Sequence, residues 1–417
     1  MRHAFIGLLL LPMISWSQSL TLEQCQQQAR LHYPLIKQRE LITQSRDFTL
    51  ANARSGYLPQ VTLNGQATYQ SDVTSVPVSV PGLSIESLSK DQYKVFADIS
   101  QTLYDGGAIN RQGQLQELGA KVEEQQLDVE LYKLEERINQ IYFGVLLIDE
   151  QLTQLALVEK DIRESLSRVH AAIDHGIAFK SNATVLQAEL LKVQQKHIEL
   201  DAMRAAFLEM LGAFVNAPLG ESTTLTKPEM TGAPADPAIN RPELTLFSAQ
   251  REFLDAQFRF SGVRNLPKIG LFLQAGYGKP ALNLLENRFD TYYLGGIRFT
   301  WGLGGLYNQK REQQLNTLNH QKLEVQRETF LFNTRLALTQ GQKEIEKLQQ
   351  LLEVDANIIE LRRQVKETAQ TQLENGVITS NDYLRELNAE DLAVQNKLLH
   401  ETQLLMAIYN YRYNSGN

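Results

Sequence analysis

The residue types that do chemistry are present in this chain but dispersed. Its seven His residues stand without His-Glu-x-x-His or any comparable ligand spacing. The run Gly302-Leu303-Gly304-Gly305 lacks the Lys-Ser/Thr pair that completes a phosphate loop. Asp105-Gly106-Gly107 has the composition of a turn. Six Met are too few for a thioether ladder that would pass soft metals. The single cysteine, Cys25, falls within the first predicted helix, which leaves no disulfide framework or zinc site and makes it a small buried side chain. No catalytic group, metal site or cofactor is expected, so the chain is not read as an enzyme. A formal net charge of -7 sets nucleic acid aside as a partner.

With no reaction to serve, the elements themselves carry the meaning. Arg2 and His3 precede an apolar stretch from Ala4 to Ile14 and a small-residue site at Ser15-Trp16-Ser17, which predicts an export signal over 1–17 and a mature chain from near Gln18. The stretch is shorter than the ~20 residues of a membrane-spanning helix, and no cysteine follows the site to carry a lipid. Beyond it no stretch is expected to cross a membrane as a helix. Any crossing must then be a closed barrel, the other structure that satisfies its backbone in lipid.

The chain is written twice. Pro242 follows Pro34 by 208 residues, and Pro267 of Leu266-Pro267-Lys268 follows Pro59 of Leu58-Pro59-Gln60 by the same 208. Tyr104-Asp105-Gly106-Gly107 is answered by Trp301-Gly302-Leu303-Gly304-Gly305, and His175-Gly176-Ile177 by Asn375-Gly376-Val377. Correspondences in the same order at near-constant offset point to a tandem duplication. The first repeat is assigned to 18–212, with strands at about 60–71 and 92–104, a long helix over 107–174 and a return helix over 183–212. A Pro-, Gly- and Thr-rich linker fills 213–240. The second repeat runs over 241–412, with strands at about 268–278 and 291–301, a long helix over 306–374 and a return helix over 381–412, and 413–417 form a tail.

The strand segments alternate with period two. Val61, Leu63, Gly65, Ala67 and Tyr69 share one face, Thr62, Asn64, Gln66, Thr68 and Gln70 the other. The remaining three segments repeat this pattern, with Phe96 an exception among the polar positions. Membrane barrel strands have this length and alternation, with aromatics at the interfaces, and Tyr69, Tyr93, Tyr277, Tyr293 and Trp301 stand near the segment ends. A soluble sandwich sheet also alternates. Four strands cannot close a membrane barrel, whose smallest examples have about eight. Copies of the chain must share one, as a dimer of eight strands or a trimer of twelve. Eight fill their own interior, so three copies are favoured.

After Gly107 no Pro occurs until Pro218, and Leu127, Leu131, Leu134, Ile138, Ile141, Val145, Ile148, Leu152 and Leu155 recur at steps of four and three, a coiled-coil seam. From Ala108 to Ile173 such a helix would be roughly 100 Å long. It must pack along neighbours, since one compact core cannot hold it. The predicted fold class is therefore mainly α with a membrane β-barrel: four strands per chain in a trimeric twelve-stranded barrel, continuing into a twelve-helix α-barrel.

Taken in order, these features resemble the TolC family of outer-membrane efflux channels over the whole mature chain: Tyr33-Pro34-Leu35, the two Leu-Pro stops, the two Gly-Gly corners and the turns at Gly176 and Gly376. The resemblance implies a homotrimer in outer-membrane lipid of a Gram-negative-type cell, with a long periplasmic extension. Its turn tips, Gly176, Ile177 and Ala178 in the first half and Gly376, Val377, Ile378 and Thr379 in the second, would dock a periplasmic adaptor linked to an inner-membrane pump. In the family, acids after the second turn line the tunnel entrance. Asp382 matches the first of them, while Arg385 stands where a second acid can occur and is expected to pair with Asp382 or Glu386. Asn182 or Thr184 occupies the place in the first half where an acid is frequent. The function implied is the exit duct of a tripartite efflux or type I secretion system. The competing reading is a periplasmic coiled-coil adaptor or scaffold without a pore.

Overall fold

The structure is a computed structural model that describes residues 19–74, 87–230 and 237–417; the expected export signal lies outside them. Breaker-free stretches form helices α1 (Leu22–His32), α2 (Gln38–Arg54), α3 (Ala108–Asp174) and α4 (Lys180–Val215) in the first half. In the second half they form α5 (Pro242–Ser261), α6 (Gln309–Glu374) and α7 (Ser380–Ser415). The alternating segments form β1 (Gln60–Tyr69), β2 (Asp91–Tyr104), β3 (Lys268–Lys279) and β4 (Asp290–Thr300). The fold class is as expected for one protomer: the described residues are mainly helical, with four strands and two helices of 67 and 66 residues among them. The order of helix, strand pair, long helix and return helix occurs in both halves.

Several ends differ from expectation for local reasons. Helix α4 runs past 212 to Val215, where Asn216 takes the left-handed conformation (φ 56°) and donates its N–H to Gly212 O. Helix α7 likewise runs on to Ser415 before Gly416 (φ 81°), so most of the expected tail is helical. Helix α6 starts at Gln309 because Gly304–Tyr307 form a 3₁₀ turn.

Two compact units cut across the repeats. One comprises Lys37–Leu127 and Glu243–Thr329, the other the chain up to Ile36 with Asp128–Pro242 and Phe330–Asn417. Each draws on both halves, as expected where long elements bury their apolar stripes against partners from elsewhere in the chain.

The first unit holds one antiparallel sheet in the order β1-β2-β3-β4. Its register aligns Val61 with Ile99, Ile99 with Leu273 and Leu273 with Gly295; one row away Leu63, Ala97, Ala275 and Tyr293 align. All four apolar sets therefore lie on a single face. Where β2 leads toward α3, Asp105 accepts the N–H groups of Gly107 and Ile109, both at 2.7 Å, and caps the helix. Gly106 and Gly107 have φ of 72° and 81°, and a Cβ on Gly106 would stand 2.6 Å from Leu266 Cβ. That requirement is why the corner reads Asp-Gly-Gly.

The second unit is helical. Ile148, Leu155, Val158, Ile162 and Val169 of α3 pack with Leu186 and Val193 of α4 and with Tyr383, Leu384 and Leu387 of α7. A second core surrounds Tyr142 and Phe143, with Leu22, Cys25 and Ala29 of α1 and Leu211 of α4. Across it the N-terminal segment and the linker meet in a parallel bridge between Leu20 and Leu225. The buried Tyr142 hydroxyl lies 2.7 Å from both Leu20 O and Thr226 O, its one hydrogen shared between them. Contrary to expectation, α3 does contain an 18-residue stretch apolar enough by length and composition to cross a membrane, and 44% of that stretch is buried inside the fold.

Candidate functional site

Two surfaces stand out, one on each unit. On the sheet the apolar face lies open, and along β3 the usual relation between polarity and exposure is inverted, while β1 and β4 are largely exposed on both faces. Along β3, Leu271, Leu273, Ala275 and Tyr277 are exposed, while Phe272, Gln274 and Gly276 on the polar side are half-buried. Val61, Leu63, Val95 and Ile297 on the apolar face are 67%, 76%, 56% and 71% exposed. A soluble sheet covers its apolar face and leaves the polar one in water. Strands β1 and β4 each pair on one side only, so the sheet has two open edges.

Tyr69, Tyr93, Tyr277 and Tyr293 gather at one end of this apolar face, and Trp301 follows β4 at the other end, eight residues beyond Tyr293. That spacing is about 26 Å along the strand. Trp301 donates its indole N–H to Asn265 O at 3.1 Å. Sequence reasoning missed Phe289, which stacks on both Tyr277 (centroids 5.5 Å apart) and Tyr93 (6.4 Å). It precedes β4 in phase with Tyr293 but is cut off from it by Thr291, so the alternation did not reach it.

The second surface is formed by the two helix turns. Gly176 (φ 76°) and Gly376 (φ 70°) end α3 and α6 in matching ways: Ile177 N donates to Ala172 O at 2.8 Å and Val377 N to Gln372 O at 2.9 Å. The structure brings the two turns together around a cleft of about 450 Å³ lined by Ile177, Ala178, Gly376, Val377, Ile378 and Thr379. Ile177 and Val377 are exposed, and so is Phe179, which sequence reasoning did not single out. Arg168 of α3 and Glu374 of α6 pair beside the cleft.

The turns differ in how the next helix begins. At α7, Thr379 and Asp382 form a capping box: Thr379 Oγ1 accepts from Asp382 N at 3.3 Å, and Asp382 Oδ2 accepts from Thr379 N at 3.1 Å and from its hydroxyl at 2.7 Å. At α4 the cap position is Phe179, with no side-chain bond. Asn182 lines the cleft, and Thr184 bonds back to Lys180 O at 3.2 Å. The Thr379 hydroxyl and N–H, with a smaller contribution from the charge of Arg385, hold the Asp382 carboxyl below the usual range. Arg385 pairs with Glu386 (Nε to Oε1, 3.0 Å), which also lies 3.6 Å from Arg362. Asp382, Arg385 and Glu386 share a groove with Leu361, Val365 and Ile378.

A four-stranded open sheet on a chain with two helices of nearly seventy residues is a fold shared with solved outer-membrane channels. Residues 26–215 match the model of the outer membrane efflux protein family, in keeping with the resemblance drawn from the sequence. The outer-membrane channel OprN is similar in fold, at 14% identity and a TM-score of 0.68, with 95% of this chain and 89% of that chain covered. The open-state MtrE outer membrane channel of Neisseria gonorrhoeae is similar at 14% identity and 0.67, covering 95% and 89%. The CmeC outer membrane channel of Campylobacter jejuni is similar at 13% and 0.64, covering 95% and 85%. No curated protein matches the chain in sequence.

Proposed function

We propose that this chain is one protomer of a homotrimeric outer-membrane exit duct, not an enzyme, which passively conducts substrates from an inner-membrane pump through a periplasmic adaptor to the outside. One observation carries the reading: the apolar face of the sheet has exposed residues on all four strands, and along β3 it is the more exposed face, which lipid accommodates and water does not. The two open edges call for further strands, and three copies give the twelve that leave a lumen, where eight would fill it. The long helices are of a length to extend through the periplasm. Either a tripartite efflux pump or a type I secretion system would use such a duct. The exposed Ile177 and Val377 suit docking of the adaptor better than solubility.

Reconstitution of the purified chain in a planar bilayer, with its mass determined in detergent, tests the reading. A trimer with discrete conductance is expected. A chain that stays soluble and monomeric without detergent and never conducts would instead be the poreless adaptor or scaffold. Crosslinkers placed at positions 177 and 377 should trap an adaptor in cells, and failure from both removes the docking assignment.

A further inference from the structure

The polar face of the sheet carries an excess of positive charge gathered at one end. By register this face includes Lys94, Asp98, Lys268, Asp290 and Arg298. Asp98 accepts a hydrogen bond on Oδ2 from Gln274 at 3.1 Å, its Oδ1 being buried without a partner, and Asp290 pairs with Arg288 at 3.5 Å. Among the described residues Lys268 and Arg298 make no ion pair. Lys268 stands opposite Thr300 and Arg298 opposite Gly270, which makes the two cations diagonal neighbours on one face, about 7–8 Å apart along the diagonal.

Both line a hollow of about 330 Å³ with the hydroxyls of Ser100 and Thr102 and the ring of Phe272. The guanidinium of Arg298 lies over that ring, 4.7 Å from its centroid. The ring in turn covers Gly296, where a Cβ would come within 3.1 Å of it. Phe272 thus fixes the Arg298 fork, and Gly270 opposite lies close against β2, where a Cβ would come within 3.0 Å of Gln101 O. Asp105, the acid that also borders the hollow, is committed to capping α3.

We propose that Lys268 and Arg298 form a basic collar inside the barrel, a transient binding site for the anionic group of organic solutes passing through, with Phe272 receiving their apolar part. The inference rests on the duct reading, in which the polar face is the lumen wall. Three protomers would set six cations around the axis, the arrangement by which pores favour anions. The collar gives the duct an anion-attracting stage distinct from the carboxylates at the tips.

The test is ion selectivity of the trimer in a planar bilayer under a KCl gradient, with tripolyphosphate as anionic blocker on the barrel side. In the wild type, tripolyphosphate should block more strongly from the barrel side than from the helical side. The double variant Lys268→Gln/Arg298→Gln should shift the reversal potential toward cations and weaken the block about tenfold; each single variant should shift it part of the way, and Lys268→Arg should retain the wild-type behaviour. Unchanged selectivity and block in conducting Gln variants overturn the collar and leave the duct standing. Equal block from both sides of the wild type overturns it without any variant. A wild-type chain that forms no conducting trimer overturns the duct first and the collar with it.

Discussion

At the scale of single residues, the most informative side chain is Asp382, whose two carboxylate oxygens are used differently. Oδ2 takes both bonds from Thr379, while Oδ1 takes none among the described residues. The cap therefore orients a carboxylate that still has a free oxygen to offer a cation. Asp382→Asn should weaken block of the trimer by multivalent cations such as hexaamminecobalt, and unchanged block would remove it from the gate. Thr379→Ala should cost about 1 kcal/mol of local stability, read as faster amide exchange in the first turn of α7. The pH dependence has a definite sign. Because the folded pKa of Asp382 is lowered, the cap's contribution is complete above the ordinary carboxylate range and is lost as pH falls through the lowered value. Exchange in that turn, relative to intrinsic rates, should thus quicken only in strong acid. Cys25 gives a second residue-scale readout. Burial first, then the charge of Glu23, pushes its thiol up to about 12, so a maleimide should not label it at pH 8 in the folded chain. Tyr142→Phe, which frees the carbonyls of Leu20 and Thr226 beside it, should raise the labelling rate. Equal rates would mean that the hydroxyl does not hold the N-terminal segment closed.

Among elements, the apolar packing of the tip-proximal helices is joined by an ionic contact. Lys366 of α6 reaches Glu390 of α7 at 2.7 Å and Asp161 of α3 at 3.0 Å, with the Lys366 and Glu390 side chains about 15% exposed. Burial opposes the ammonium charge, but the hydrogen bonds and charges of the two carboxylates outweigh it and hold the Lys366 pKa above its ordinary value. Lys366→Met should destabilise these helices by about 3 kcal/mol, because two carboxylates then lose their partner in a covered site. Combining it with Glu390→Gln should cost less than the two changes added together. As the folded pKa is raised, this contribution is fully present below the ordinary lysine range and is lost as pH rises through the raised value. Thermal melts of helical circular dichroism should therefore show a smaller alkaline loss in Lys366→Met than in the wild type. No such triad was legible in the sequence, where Asp161, Lys366 and Glu390 are three charges on helices far apart in the chain. What was legible is whatever has a short period or a backbone requirement. Val61 through Tyr69 alternate because the pleat does, the Leu127-to-Leu155 seam recurs because the helix does, and Gly106, Gly176 and Gly376 sit where φ must be positive. The capping role of Asp382 was hidden for a different reason: Thr-x-x-Asp is also a common surface sequence, and only the bond geometry distinguishes a cap from a solvated acid.

For the whole molecule the question is which side of the sheet meets lipid, and paired substitutions one residue apart can answer it. Leu273 lies on the apolar face between Ile99 and Gly295, midway between the tyrosine end and Trp301. Gln274, the next residue, lies on the other face and donates to Asp98. An Arg facing hydrocarbon at mid-depth costs about 2–4 kcal/mol, and a trimer incurs that cost three times. An Arg at position 274 faces water beside a carboxylate and should cost almost nothing. Leu273→Arg should therefore sharply reduce the amount of trimer recovered by detergent from outer-membrane fractions, while Gln274→Arg should leave it near the wild-type amount. The comparison is robust to general effects of adding charge to a strand, since both variants add the same charge to the same strand. Soluble packing would keep the order, because an apolar face covered by protein would also reject Leu273→Arg, but a chain so covered would be recovered without detergent whichever residue was changed. Equal recovery of both variants would show that neither face is in lipid, and the proposed barrel would then have no membrane to span.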